Sequence, residues 1–144
     1  MTNCSVSVRM LVEFSIHGGD ILPGGSIKDM QDGMLGHKAR QKLLGDGWES
    51  EVSLTLDLPE ADGIALRVLG RMDAFHDGEL PVIEEIKVKK GRGEITLDPA
   101  HRAQAVCYGH MLCTQEHIPQ VMIRIAYVSV AGTILELFEE ILSA

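Results

Sequence analysis

The 144-residue chain is short of positive charge: 13 Lys and Arg stand against 21 Asp and Glu, a formal net charge of −8. Proteins that hold nucleic acid draw on basic surface to neutralise phosphates, so any such grip here has to be local. Cysteine is scarce as well. Cys4, Cys107 and Cys113 make no even framework for disulfides and read as reduced thiols. No apolar run approaches the ~20 residues of a membrane span, and the opening MTNCSVSVRM lacks the apolar core of a secretion signal. A cytoplasmic location with no membrane partner is therefore expected. Neither a phosphate-cradling G-x-x-x-x-G-K-[ST] loop nor a G-x-S-x-G elbow occurs, which removes support for an ATPase or a serine hydrolase. No internal repeat or low-complexity tract stands out.

What is present suits one globular domain over 1–144, with 45% hydrophobic and 24% charged residues and enough length for a single core. Period-2 alternation marks the strands. Val52, Leu54, Leu56 and Leu58 alternate with Ser53, Thr55 and Asp57 over Glu51 to Leu58. From Ile64 to Asp73, Ile64, Leu66, Val68, Gly70 and Met72 share one face, and Ala65, Arg67, Leu69, Arg71 and Asp73 the other. From Val82 to Lys89, Val82, Glu84, Ile86 and Val88 oppose Ile83, Glu85, Lys87 and Lys89. Asp77-Gly78 between these two runs favours a hairpin-like return. A further strand is expected over Val121 to Val130.

Helical periodicity appears in four places. Ser5 or Ser7 can cap a helix reaching about Ser15, and Met34 to Leu44 reads as a second helix. Asp98-Pro99 is a helix start, followed by His101, Gln104, Tyr108 and Met111 along one stripe. Thr133 to Leu142 carries Ile134, Leu135, Leu137, Phe138, Ile141 and Leu142 at helical spacing and is expected to be an amphipathic helix, with a homodimer surface as one use. Gly18 to Gly33, rich in glycine, reads as an irregular loop. Cys107, His110, Cys113 and His117 invite zinc, but ~15 Å of helix separates the first from the last, too far for one ion. Together these elements predict an α/β domain with a central mixed sheet flanked by helices.

The residues that could carry chemistry sit on the two neighbouring strands. Asp73 at the end of one faces Glu85 and Lys87 on the next. Two carboxylates at close range repel unless a cation lies between them, and hard ions such as Mg²⁺ or Mn²⁺ take oxygen ligands of this kind. A lysine beside the ion can orient a water or neutralise charge growing on a phosphate, so the constellation points to metal-assisted phosphodiester hydrolysis. The same alternation also describes the ordinary solvated face of a half-buried sheet. Lys87-Val88-Lys89-Lys90-Gly91-Arg92 adds a local basic run, which also suits a soluble turn.

Gly70-Arg71-Met72-Asp73, Ile83-Glu84-Glu85-Ile86-Lys87 and Gln104-Ala105-Val106-Cys107-Tyr108 resemble, in order and separation, the G-R-x-D, E-x-K and Q-x-x-x-Y motifs of the RecB-like branch of the PD-(D/E)XK nuclease superfamily. Gly33-Met34-Leu35-Gly36-His37 is similar to that branch's G-x-x-x-H. VRMLVEFSIHGGD looks like the opening of the nuclease domain ahead of some DinG-like helicases. The resemblance implies a restriction-endonuclease-like core. It also implies that Asp73, Glu85 and the backbone carbonyl of Ile86, with His37, bind Mg²⁺ or Mn²⁺. Lys87 would act on the attacking water or scissile phosphate, and Gln104 and Tyr108 would help position the carboxylates or the nucleic-acid backbone. The implied activity is a DNA nuclease, an exonuclease by preference, acting in repair or recombination beside a helicase domain or subunit. The chain departs from the superfamily in lacking a Pro-Asp at the first acidic motif and the four cysteines of its iron–sulfur members. The rival expectation is a catalytically idle nucleic-acid-binding or dimerisation domain.

Overall fold

The computed structural model describes residues 2–17, 26–91 and 93–144. In chain order the elements are β1 (Thr2–Ser7), α1 (Val8–His17), α2 (Ile27–Leu44), β2 (Trp48–Asp57), β3 (Ile64–His76), β4 (Val82–Val88), α3 (Pro99–Glu116), β5 (Gln120–Val128) and β6 (Ile134–Ser143). The six strands form one mixed sheet flanked by helices, the α/β architecture expected. β3 pairs antiparallel with β2 along one edge. Its other edge is shared by β1, parallel to Ile64–Leu69, and by β4, antiparallel to Ala74–His76. β4 runs parallel to β5, and β5 antiparallel to β6.

The alternation along β4 divides the two faces as its sequence predicts. Ile83 packs into a cluster with Met72, Val68, Val8, Val12, Tyr108 and Met111, which places α1 and α3 on that face. Ile86 packs on the opposite face with Val88, Ala126, Val128 and Leu137. There α2 crosses β4 closely enough for Gly36 to abut Val88, an approach that leaves no room for a side chain at Gly36. Met72 and Ile83 are fully buried, each worth roughly 1.5–3 kcal/mol of apolar transfer. α2 is fastened by a buried ion network. The Arg40 guanidinium donates two 2.9 Å hydrogen bonds to the Glu84 carboxylate, and Arg124 Nε donates to the same carboxylate at 2.7 Å while lying 4.9 Å from the Trp48 ring.

The structure corrects the sequence reading at three elements. Ile134–Ser143 is a strand. Ser129 and Thr133 close a tight turn with Gly132 at φ +84°, and β6 folds straight back onto the edge that β5 leaves open. Pairing with β5 overrides the helical spacing of the apolar residues. The chain also begins with a strand, β1, with α1 starting only at Val8; Ser7 Oγ accepts from the Met10 amide as the expected cap. Finally, α2 starts seven residues before Met34. Ser26 and Asp29 form a reciprocal capping box, so residues 27–33 are helical rather than part of an irregular loop. Residues 18–25 of that expected loop, and Arg92 of the basic run, lie outside the described residues. Asp98 caps α3 as predicted, its carboxylate accepting from the Ala100 amide.

Candidate metal centre

The site grows from a break in the sheet. Along the β3 edge shared by β1 and β4, pairing with β1 stops at Leu69 and pairing with β4 resumes at Ala74. Gly70, Arg71, Met72 and Asp73 fall in the gap. Strand alternation also resets there: Met72 and Phe75, three residues apart, both pack into the core under α3. On the facing strand Glu51 adopts a left-handed backbone (φ 57°), between the paired residues Ser50 and Val52. The β2–β3 register is the same on both sides of this point, so Glu51 and Asp73 stand opposite each other and the two strands deviate together, with no residue inserted in either. Asp73 stands at that reset.

Its carboxylate takes up one of the backbone donors that the gap leaves over. Asp73 Oδ2 accepts the Ile86 N–H at 2.8 Å, and the Asp73 carbonyl accepts from Gln41 Nε2 of α2 at 2.9 Å. His37 Nδ1 lies 3.7 Å from Asp73 Oδ1. Glu85, on the α3 face of β4, is 3% exposed, and its Oε2 is buried with no hydrogen-bond partner. Burial, the Asp73 charge beside it and a hydrogen bond to Asp73 that only the protonated carboxyl can donate push its pKa up to about 8, against the opposing pull of Lys87; as a carboxylate it leaves Oε2 without a partner. Lys87 Nζ lies 3.3 Å from Glu85 Oε1 and donates to Gln104 Oε1 at 3.1 Å. Gln104 Nε2 in turn donates to the Tyr108 hydroxyl at 3.0 Å. That hydroxyl is pushed up to about 12 by burial and by Glu85. The Tyr108 ring lies under Gly70, where an added Cβ would come within 2.6 Å of the ring. The glycine of G-R-M-D thus admits the tyrosine of Q-A-V-C-Y.

His37, Asp73, Glu85, Gln104 and Tyr108 line one cavity of about 400 Å³, together with Ser7, Arg9, Gly70 and Arg71. Lys87 lines a neighbouring cavity of about 210 Å³. Ile86 takes part through its N–H, held by Asp73, whereas the resemblance assigns its carbonyl.

No family model matches the chain, and no curated protein matches it. Among solved structures, the crystal structure of the archaeal protein SSO0001 resembles it with a TM-score of 0.63 at 17% identity, over 96% of this chain and 67% of that one. At that identity the likeness concerns the fold alone.

The donor set suits a hard divalent ion. Two carboxylates converge, one carries a buried oxygen without a partner, and the cost of that arrangement falls when a cation occupies it. Among the described residues, no group of three or more His, Cys, Asp and Glu side chains is close enough to hold a metal by itself. A Mg²⁺ ion here would have to take most of its shell from water and backbone oxygens. Two residues that sequence reasoning passed over belong to the site. Arg9 enters because α1 follows directly on β1, a strand the serine-rich opening concealed, and Gln41 fixes the Asp73 backbone from α2. Their signals were a cation at the first turn of a helix and a position one turn beyond His37.

Proposed function

We propose that the chain is a metal-dependent nuclease that hydrolyses DNA phosphodiester bonds at the Asp73–Glu85–Lys87 centre. The observation that carries this reading is the Glu85 carboxyl, buried beside Asp73 with an oxygen that no donor reaches while it is ionised and a lysine on its other side. A structural carboxylate in a core would be expected to have both oxygens satisfied. Glu84, next in sequence and also fully buried, is tied on both oxygens by Arg40 and Arg124.

Asp73 and Glu85, with the Ile86 carbonyl and His37 as the resemblance implies, would hold Mg²⁺ or Mn²⁺. Such an ion supplies Lewis-acid activation of water and neutralisation of charge on the phosphorane-like transition state. The Ile86 N–H and the Gln41 amide fix Asp73 in orientation. The Gln104–Tyr108 pair holds Lys87 Nζ at the Glu85 oxygen, where its charge stabilises the scissile phosphate or orients the attacking water. Arg9 and Arg71 line the same cavity, and among the described residues neither has an ion-pair partner. They provide local positive charge on an acidic protein. The family resemblance favours DNA over RNA, exonucleolytic cleavage to a 5′-phosphate, and a helicase domain or subunit as partner.

A second reading, a domain that binds nucleic acid or dimerises without cutting, is favoured by the lack of a three-ligand cluster among the described residues. Cleavage of single- and double-stranded DNA in Mg²⁺ or Mn²⁺ separates the two. Cutting by the parent that is lost in both Glu85→Ala and Lys87→Ala supports the nuclease. DNA binding without cutting by the parent supports the second reading. Turnover of a chromogenic phosphodiester with none on DNA would move the substrate to small phosphoesters.

A further inference from the structure

The smaller cavity beside the proposed centre is formed by Arg9, Val12 and Glu13 of α1, Lys87 of β4, and Asp98, Ala100, His101 and Gln104 at the start of α3. It shares Arg9 and Gln104 with the larger one, so the two are neighbours divided by those side chains. Its volume of about 210 Å³ admits a phosphate group with several waters, at about 30 Å³ per water.

Its wall sets Arg9 and Lys87 against Glu13 and Asp98. Of the two cations that line it, Lys87 is paired with Glu85, while Arg9 has no carboxylate partner among the described residues; Lys89, outside the lining, has none either. Lys89 Nζ stands 5.7 Å over the ring of Tyr127, whose hydroxyl contacts His101. The charged groups bearing on His101 are Lys87, Lys89 and Arg9 against Asp98, and burial together with Lys87 drives its pKa down to about 4. At neutral pH the ring therefore carries one N–H.

The position of that hydrogen follows from the bonds around it. The hydroxyl of Tyr127, a fully buried residue, accepts the Asp98 amide at 3.0 Å and lies 2.8 Å from His101 Nδ1. The hydroxyl oxygen accepts the amide either way; donating its own hydrogen to Nδ1 pairs that hydrogen, whereas accepting from Nδ1–H would leave it without an acceptor, so the balance of bonds favours donation. Nε2 then bears the ring proton. The nearest carboxylate oxygen, Asp98 Oδ2, is 3.9 Å away, beyond hydrogen-bond range. A buried tyrosine thus fixes the histidine tautomer and leaves an oriented donor without a partner.

We propose that this cavity is a second phosphate subsite, holding the internal phosphodiester that flanks the scissile one, with Arg9 supplying charge and His101 Nε2–H a directed hydrogen bond. The proposal rests on the nuclease reading for what lies next door and adds how the strand is aligned. Asp98 and Glu13 at the same wall disfavour a doubly charged terminal phosphate relative to a singly charged diester. The subsite therefore reads strand continuity rather than an end.

The test is binding of a fluorescein-labelled single-stranded oligonucleotide to the full chain in EDTA, where metal-dependent cutting is off, as a function of salt. Arg9→Gln should weaken binding about tenfold and reduce the slope of log K against log salt by about 0.7, the share of one phosphate contact on a single strand. Arg9→Lys should restore the slope. His101→Phe should weaken binding severalfold with the slope unchanged, because a neutral donor releases no counterion. Adding a 5′-phosphate to the oligonucleotide should leave affinity the same. Parental affinity and slope in Arg9→Gln would overturn the subsite, as would an Arg9→Lys variant no better than Arg9→Gln, or no DNA binding by the parent at all. These outcomes are separable from the nuclease reading. Cleavage by the parent with an indifferent Arg9→Gln removes the subsite alone, whereas the expected binding pattern in a parent that never cuts removes the nuclease alone.

Discussion

Replacing Glu85 by Gln should make the metal-free protein more stable and inactive at once. The carboxyl has an ordinary value of 4.5 and titrates at about 8 in the fold, because burial and Asp73 disfavour its charge. At about 1.4 kcal/mol for each tenfold change in proton affinity, ionising it in place costs at most about 5 kcal/mol. Below pH 4.5 both folded and unfolded chains carry the proton and nothing is lost. Between pH 4.5 and about 8 the unfolded chain releases it while the folded one keeps it, so stability falls as pH rises; above that the loss is complete. Gln, neutral at every pH, escapes the loss. Urea denaturation in EDTA at pH 5, 6, 7 and 8 should show parent and Glu85→Gln converging at pH 5. At pH 8 the variant should lead by several kcal/mol. Saturating Mn²⁺ should narrow that lead by stabilising the parent alone, by about 2.7 kcal/mol at a hundred times its Kd. A difference that does not change with pH, or a variant weaker than the parent at pH 8, would refute the reasoning: the carboxylate would then be ionised and held by Lys87 as an ordinary ion pair.

Lys87→Ala should cut cleavage by roughly 10²–10³-fold while DNA binding survives, since Arg9 and Arg71 also line the two cavities; steady-state rates and anisotropy together check this. Gly70→Ala should destabilise by about 1–3 kcal/mol in a denaturant titration, because its Cβ would meet the Tyr108 ring at 2.6 Å, and it should lower cleavage through the displaced Tyr108–Gln104–Lys87 chain. Glu84→Ala should cost about 3–5 kcal/mol, as it leaves the Arg40 and Arg124 guanidinium groups buried without their shared carboxylate. An undiminished midpoint in that variant would mean that the network adds nothing to α2 docking.

Much of the site could be read in the amino-acid order because short-range rules govern it. Strand alternation placed Glu84 and Glu85 on opposite faces of β4, and Asp98-Pro99 marked the start of α3, bringing Gln104 and Tyr108 one turn apart. What was hidden depends on partners distant in sequence. Thr2–Ser7 is a strand because β3 offers it a parallel edge, and Ile134–Ser143 is one because β5 offers another; neither edge can be seen in those segments. Ser26 and Asp29 stand three apart, as a capping box requires, a signal the glycine-based loop reading did not use; Gly33 nevertheless sits inside α2 at a cost of about 1 kcal/mol. A strict period of two also missed the reset at Asp73, which brings its carboxylate to the Ile86 amide through the gap between β1 and β4. The described helices include none long and apolar enough to cross a membrane.

The most direct measurement is anomalous scattering from crystals of the parent grown or soaked in Mn²⁺. A bound ion is expected about 2.1–2.2 Å from carboxylate oxygens of both Asp73 and Glu85, with the formerly unpartnered Oε2 among its ligands and waters completing the shell. Crystals of an actively cutting protein with no ion between those two carboxylates, or with an ion held by other residues, would contradict it.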